Sequence, residues 1–303
     1  MITRRRLDPL QVLRATAGPL SIAALYMVAV VLYEQEAEAP LDLPLSIPAM
    51  LGTAISILLG FKTSAAYDRW WEARKVWGGI VNDSRSFGRQ AISFVRPPRA
   101  EDSGAGRELV EVLVHRQIFW TYALSRALRR QEVLVGTEGL LPPEDLASLG
   151  TTENVPNELL DLQARDLRRA LDAGWIDSYQ HVTIEGSLTR LTDHMGKCER
   201  IKNTGFPAHY GYLASRILWL FALLVPWSLG RDLVWWTIPV GVAVILTFWM
   251  IWVIGEALAD PFENRPTDTP MTSLSEKIER DLRRQLGESA LAPEPEVDDG
   301  VLM

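Results

Sequence analysis

Pro48-Ala-Met-Leu-Gly-Thr-Ala-Ile-Ser-Ile-Leu-Leu-Gly-Phe-Lys62 passes directly into Thr63-Ser-Ala-Ala-Tyr-Asp-Arg-Trp-Trp-Glu-Ala-Arg-Lys-Val-Trp-Gly78. The first half has the composition of a membrane span, and the second is charged and carries Trp70, Trp71 and Trp77. Pro48 suits the first turn of a helix, where its missing N–H is no loss. No further proline occurs before Pro97, so the stretch predicts one unbroken helix of about 50 residues, roughly 70 Å long at about 1.5 Å per residue. A bilayer core takes only about 30 Å of such a rod. The remainder must extend into the cytosol, and one helix could then both line a membrane pore and prolong it.

Working outward, the 303-residue chain is 48% hydrophobic and still 23% charged, a mixture that fits a membrane part fused to a polar part. A net charge of −7 and a pI near 5.3 argue against a nucleic-acid partner. The single cysteine, Cys198, excludes an intramolecular disulfide, gives no Cys-rich zinc site and reads as a buried bystander. Arg4, Arg5, Arg6 and Arg14 precede an apolar run from Ala15 to Tyr33 that has spanning length and no small-residue cleavage site. It reads as a retained first transmembrane helix, not a leader.

Three further segments have spanning length: Ser46 to Ala66, Gly211 to Leu229, and Leu233 to Leu258, with Gly230-Arg231-Asp232 expected as the turn of the last hairpin. Four spans put both termini on one side. Basic residues precede span one, follow span two (Lys62, Arg69, Arg74, Lys75) and precede span three (Arg200, Lys202), whereas Glu34-Gln-Glu-Ala-Glu-Ala-Pro-Leu-Asp42 has acids and no base. The positive-inside rule makes the termini and the long middle section cytosolic. The expectation is therefore a multi-pass protein of the bacterial inner (plasma) membrane.

Between Asp68 and Tyr210 apolar residues recur at helical spacing, as in Leu109, Val110, Leu113, Val114, Ile118 and Phe119. Helices are predicted at about 104–133, 156–174 and 178–203, with a helix start at Pro142-Pro143 and loops at Gly136-Thr-Glu-Gly139 and Gly150-Thr-Thr-Glu153. The predicted organisation is spans one and two with a pore neck (1–66), a cytosolic helical region (67–210), spans three and four (211–258), a C-terminal cytosolic helix (259–289, helical from Met271 to Leu286) and a disordered acidic tail (290–303). The fold class is an all-α membrane protein: four transmembrane helices per subunit with a cytosolic helical bundle.

Signals for catalysis are sparse. The chain has no phosphate-binding Gly-x-x-x-x-Gly-Lys-Ser/Thr, no Gly-x-Ser-x-Gly and no His-Glu-x-x-His. His194 and Cys198 are four apart and could share a helix face, yet two ligands make no metal site. Glu111 and His115 are likewise four apart and suit a helix pair, while His181 and His209 have no evident partner. The expectation is that the protein is not an enzyme and takes no cofactor or metal.

Thr53, Ile57 and Phe61 recur every four residues and share one face of the span-two helix. Around an axis formed by several copies, rings of Ile57 and Phe61 would make a dry constriction that gates by dewetting. Packing on another span explains the same stripe, and from spacing alone it is the simpler account. The cluster Arg69, Trp70, Trp71, Glu72, Arg74 and Trp77 suits contacts between neighbouring subunits or an interfacial aromatic belt, with ion pairing of Glu72 to Arg69 along the helix.

Leu59-Gly-Phe-Lys-Thr-Ser-Ala-Ala-Tyr-Asp-Arg-Trp-Trp-Glu-Ala-Arg-Lys-Val-Trp-Gly78 resembles the signature of the bestrophin family in its bacterial branch, through Gly60-Phe61, Tyr67, Arg69-Trp70, Glu72, Arg74 and Trp77-Gly78. Glu199-Arg-Ile-Lys-Asn-Thr-Gly-Phe-Pro207 and Asp260-Pro-Phe262 resemble two further landmarks of that family. The resemblance implies a homopentameric ion channel around one axial pore, its partners being copies of itself, the lipid bilayer and permeating monovalent ions. It assigns the pore neck to Thr53, Ile57 and Phe61, which favours the pore reading of the stripe over packing, and a cytosolic aperture to Phe206. Animal members resemble one another in an acidic calcium clasp after this last landmark. Here Glu263-Asn264-Arg265-Pro266 follows instead, a poor hard-cation site, so gating by calcium is not expected. Glu34, Glu36, Glu38 and Asp42 would enrich cations at an outer mouth. This favours a cation-permeable or poorly selective pore, with a chloride channel as the close competitor and a membrane-anchored helical interaction module without transport as the alternative class.

Overall fold

The computed structural model describes residues 9–38, 41, 43–136, 139–205 and 208–289. Its helices are α1 (Pro9–Glu36), α2 (Ser46–Phe94), α3 (Ser103–Leu128), α4 (Pro143–Leu149), α5 (Val155–Asp172), α6 (Ser178–Asn203), α7 (Ala208–Leu233), α8 (Thr237–Ala259) and α9 (Met271–Leu286), and no strand occurs among the described residues. The expected tail at 290–303 lies outside them.

Two compact units divide the chain, one built from the described chain up to Trp70 with Gly205–Asp260, the other from Trp71–Thr204 with the chain from Pro261. In the first, α1, the start of α2, α7 and α8 are long and apolar enough to cross a membrane. Pro19 and Pro226 sit inside α1 and α7, as membrane helices tolerate. Ile55 and Leu59 of α2 pack with Ala214, Phe221 and Val225 of α7, and Phe221 meets Phe248 of α8 edge-on at 5.1 Å. A second cluster joins Ala23 and Met27 of α1 to Ala222 and Ile245. Aromatic polar tips are satisfied inside this unit: Trp227 Nε1 donates to the Tyr26 hydroxyl at 2.7 Å, and that hydroxyl donates to the Leu223 carbonyl at 3.1 Å.

The hairpin turn differs from expectation. Helix α7 continues through Gly230-Arg231-Asp232, and the chain reverses at a 3-10 turn over Val234–Trp236, with Val234 at φ 49°. One glycine costs a helix only about 1 kcal/mol, so the polar triplet extends α7 by a turn and exposed Trp235 and Trp236 take the bend.

In the second unit, the remainder of α2 contributes Trp77, Ile80 and Phe87, and α3 contributes Leu113, Ile118, Phe119 and Trp120, to one core. Its helices carry local start and stop signals. Asn154 caps α5 by accepting from the Asn157 N–H, and Asp177 and Gln180 form a reciprocal capping box on α6. Gly287, at φ 82°, closes α9 in the left-handed conformation that glycine adopts without strain. Helix α3 ends at Leu128, short of the expected 133, where Arg130 turns left-handed at φ 57° and Arg126 binds the carbonyls of Val133 and Val135.

Arg116 is a buried charge of this core that is matched by two carboxylates. Arg116 donates to both oxygens of Asp145 at 2.9 and 3.1 Å and to Asp166 at 2.9 Å. The Arg116 and Asp145 side chains are 3% and 4% exposed. Arg116→Met is expected to lower unfolding stability by about 3–5 kcal/mol, because Asp145 keeps its burial and loses its counter-charge. Adding Asp145→Leu should recover part of that loss. Thermal unfolding of the detergent-solubilised protein, followed by circular dichroism, checks both.

Candidate functional site

Helix α2 is two-faced within the first unit. Gly52, Ile55, Leu59 and Lys62 are buried, whereas Thr53 is exposed and Ile57 and Phe61 are 57% and 71% exposed. A helix turns about 100° per residue, so the packed positions share one side and the three-turn stripe lies on the open one. The structure brings Thr53, Ile57 and Phe61 into one line on a face that no described helix covers. Thr53 turns its hydroxyl back onto the Ala49 carbonyl at 3.0 Å, so the outermost position presents mainly its methyl group.

Behind this face stands an ion pair that sequence reading missed. Lys62, next to Phe61, is buried and donates to Glu256 of α8, while its ammonium lies 3.6 Å from the centre of the Trp252 ring. Seven residues on, Arg69 Nε donates to the Ala259 carbonyl at 3.0 Å, capping the end of α8. These contacts hold α2 along α8 and fix the rotation that leaves Phe61 open. The available signal was a base in one apolar run and an acid in another, each costly in a membrane unless paired.

The remaining signature residues divide by position. Tyr67 is 49% exposed and lies 5.9 Å from Trp70. In the second unit, Trp77 is fully buried, Arg74 is half-buried and Glu72 accepts from Arg200 at 2.5 Å. The expected pairing of Glu72 with Arg69 along the helix is thus replaced by a pairing with α6, and Arg69 serves a carbonyl instead. Glu36 and Glu38 are exposed at and just after the end of α1, and Glu34 is half-buried. Asp42 and Phe206, expected at an outer mouth and a cytosolic aperture, lie outside the described residues.

The remaining chemical candidates resolve into packing. His194 Nε2 lies 2.9 Å from Asp83, which also accepts from Arg190 at 2.7 Å. The His194 ring rests against Gly79, where an added Cβ would come within 2.4 Å, so α2 carries glycine at this close approach to α6. Cys198 is fully buried, and burial, followed by the carboxylates of Glu199 and Glu72, pushes its thiol up, away from thiolate chemistry. His115 pairs with Glu288, two residues beyond α9, at 2.6 Å. Among the described residues no three of His, Cys, Asp and Glu converge as a metal site. Two exposed apolar residues, Tyr179 and Val182 at the start of α6 (88% and 70% exposed), had drawn no attention in the sequence.

The family model described as Bacterial/Fungal Bestrophin protein matches residues 9–284. A voltage-dependent anion channel-forming protein of Nostoc sp. is 31% identical over 246 residues, covering 80% of this chain and 79% of the relative. The voltage-dependent anion channel-forming protein YneE of Escherichia coli is 29% identical over 243 residues, covering 80% and 77% respectively. The crystal structure of a bacterial bestrophin homologue from Klebsiella pneumoniae matches with a TM-score of 0.80 at 27% identity, over 89% of this chain and 98% of that one.

The two halves of the Lys62–Glu256 pair are buried unequally, at 4% and 48% side-chain exposure. Glu256→Gln leaves a buried ammonium and is expected to cost about 3 kcal/mol, whereas Lys62→Met leaves a half-exposed carboxylate and should cost about 1 kcal/mol. Equal losses on thermal unfolding of the two variants would show that the pair does not govern this junction.

Proposed function

Because the chain belongs to the bacterial and fungal bestrophin family, we propose that it is an ion channel, assembled as a homopentamer, in which small monovalent ions pass a hydrophobic neck formed by Thr53, Ile57 and Phe61. The observation that carries this reading is the open stripe itself, which leaves Phe61 71% exposed opposite a fully packed helix face. Repeated about an axis, Ile57 and Phe61 become apolar rings too poor in hydrogen-bond partners to hold water readily, which is a gate by dewetting. The Lys62–Glu256 contact behind Phe61 gives the ring a rigid backing. Tyr67, Arg69, Trp70, Glu72 and Arg74 serve subunit packing in this scheme and Phe206 the cytosolic aperture, whereas Trp77, expected among the packing residues, is fully buried and belongs to the subunit's own core. The orientation proposed from the basic residues is cytosolic termini in the inner membrane.

The neck carries no charge, so the sign of the permeant ion is set elsewhere. Exposed Glu36 and Glu38 would raise the local cation concentration at an outer mouth, which supports a cation-permeable or poorly selective pore. The second reading, an anion channel, is favoured by the names of the Nostoc and Escherichia coli relatives. Calcium has no part in the proposed gating: Glu263 accepts from Lys202, which offsets the one carboxylate that follows Asp260-Pro-Phe262.

Planar bilayers containing the purified protein under a KCl gradient test both points. A poorly selective pore reverses near zero and a cation-permeable one moves towards the potassium value, while a reversal at the chloride value selects the second reading. Phe61→Ala and Ile57→Ala are each expected to raise current severalfold at unchanged oligomer size. Unchanged current in both would remove the stripe from the pore.

A further inference from the structure

Helix α7 carries a charge for which the proposed pore has no use. Along it Ala214, Leu218, Phe221 and Val225 are buried, while Tyr212, Leu213, Leu220 and Leu223 are 64%, 51%, 45% and 48% exposed. Arg216 belongs to this open face and lies within the membrane-length segment His209–Leu229. Its guanidinium stacks over the Tyr212 ring at 4.8 Å, and no described carboxylate pairs with it. A cation facing hydrocarbon is costly unless its side chain reaches the interface.

The geometry shows which interface it reaches. Helical side chains lean towards the N-terminus, and Tyr212 is one turn nearer the start of the span, about 6 Å along the axis. Tyr210, also exposed at 49%, marks the same end, and tyrosines of this kind sit at headgroup level. The guanidinium is thus held by an aromatic ring at the polar boundary of a face that is otherwise leucine. Its planar fork matches a phosphate through two parallel N–H donors, a contact that a lysine reproduces poorly.

We infer that Arg216 and Tyr212 form a binding site for the phosphate of an anionic phospholipid, whose acyl chains lie along Leu213 and Leu220. A lipid accounts for both halves of this face, because a free phosphate would gain nothing from the leucines. Net negative charge distinguishes the ligand from a zwitterionic lipid by its attraction to the unpaired guanidinium. The leaflet, cytosolic, follows from the orientation proposed above; binding itself does not depend on it, nor on whether the protein conducts.

The test is thermal unfolding of the full-length protein in detergent, titrated with short-chain phosphatidylglycerol, short-chain phosphatidylcholine or inorganic phosphate. Phosphatidylglycerol is expected to raise the midpoint of the natural protein above that in phosphatidylcholine. Arg216→Gln should weaken this response about tenfold in lipid concentration, the loss of one charge-assisted contact, with Arg216→Lys falling between. Should Arg216→Gln not fold, Tyr212→Leu replaces it and should weaken the response by a smaller factor. An undiminished phosphatidylglycerol response in the variant overturns the site. Inorganic phosphate matching phosphatidylglycerol replaces the lipid with a mobile anion. Dissociation of the Arg216→Gln oligomer with an unchanged lipid response assigns the arginine to a second copy of the chain.

Discussion

The backbone hydrogen bonds of α2 run without interruption from Ser46 to Phe94, and the rest of the structure depends on that continuity. In hydrocarbon every peptide group must be satisfied within the segment, and a helix does this without help. The same rod supplies Ile55 and Leu59 to one core and Trp77, Ile80 and Phe87 to another. A residue inserted in α2 would rotate later positions by about 100°, so the helix has little freedom to adjust in either core. Its glycines at 52, 60, 78, 79 and 88 do not break it, because packing on both sides outweighs their unfavourable helix propensity.

Charge follows one rule in both units, although the surroundings differ. Arg116 in the core of the second unit and Lys62 among helices long and apolar enough to cross a membrane are each buried, and each meets a carboxylate. Such pairs do not favour folding greatly over an apolar substitute, but they tolerate only one arrangement of their partners. At Lys62 that selectivity falls on the rotation of α2, and hence on which side chains face outward. The exposed stripe is therefore a product of what lies behind it as much as of its own sequence.

Much of this was legible in the sequence because it is local. The α2 rod followed from the absence of proline, and helices were expected at Met271 to Leu286 and at about 178–203, where α9 and α6 lie. The phase of Thr53, Ile57 and Phe61 was legible too, since spacing alone puts them in line. Whether that line is covered depends on α7 and α8, which lie far along the chain. The missed contacts share this property: Lys62 and Glu256 are 194 positions apart, and Arg85 and Asp281, joined at 2.7 Å, are 196 apart. The misplaced hairpin turn has another cause. Gly230-Arg231-Asp232 has the composition of a turn, but composition does not state where a helix loses its last favourable contact.

Helix α9 closes the core that α2 and α3 begin. Ile278 and Leu282 of α9 are fully buried in it, and Asp281 binds Arg85. The apolar, membrane-length hairpin α7–α8 lies between these parts in the chain. A ribosome therefore releases α3 to α6 with an apolar surface still open, and the whole apolar hairpin emerges before the segment that seals it. Biosynthesis of this protein thus carries an interval in which the unfinished core needs protection from aggregation. Its length is set by the time taken to translate from Thr204 to Leu286.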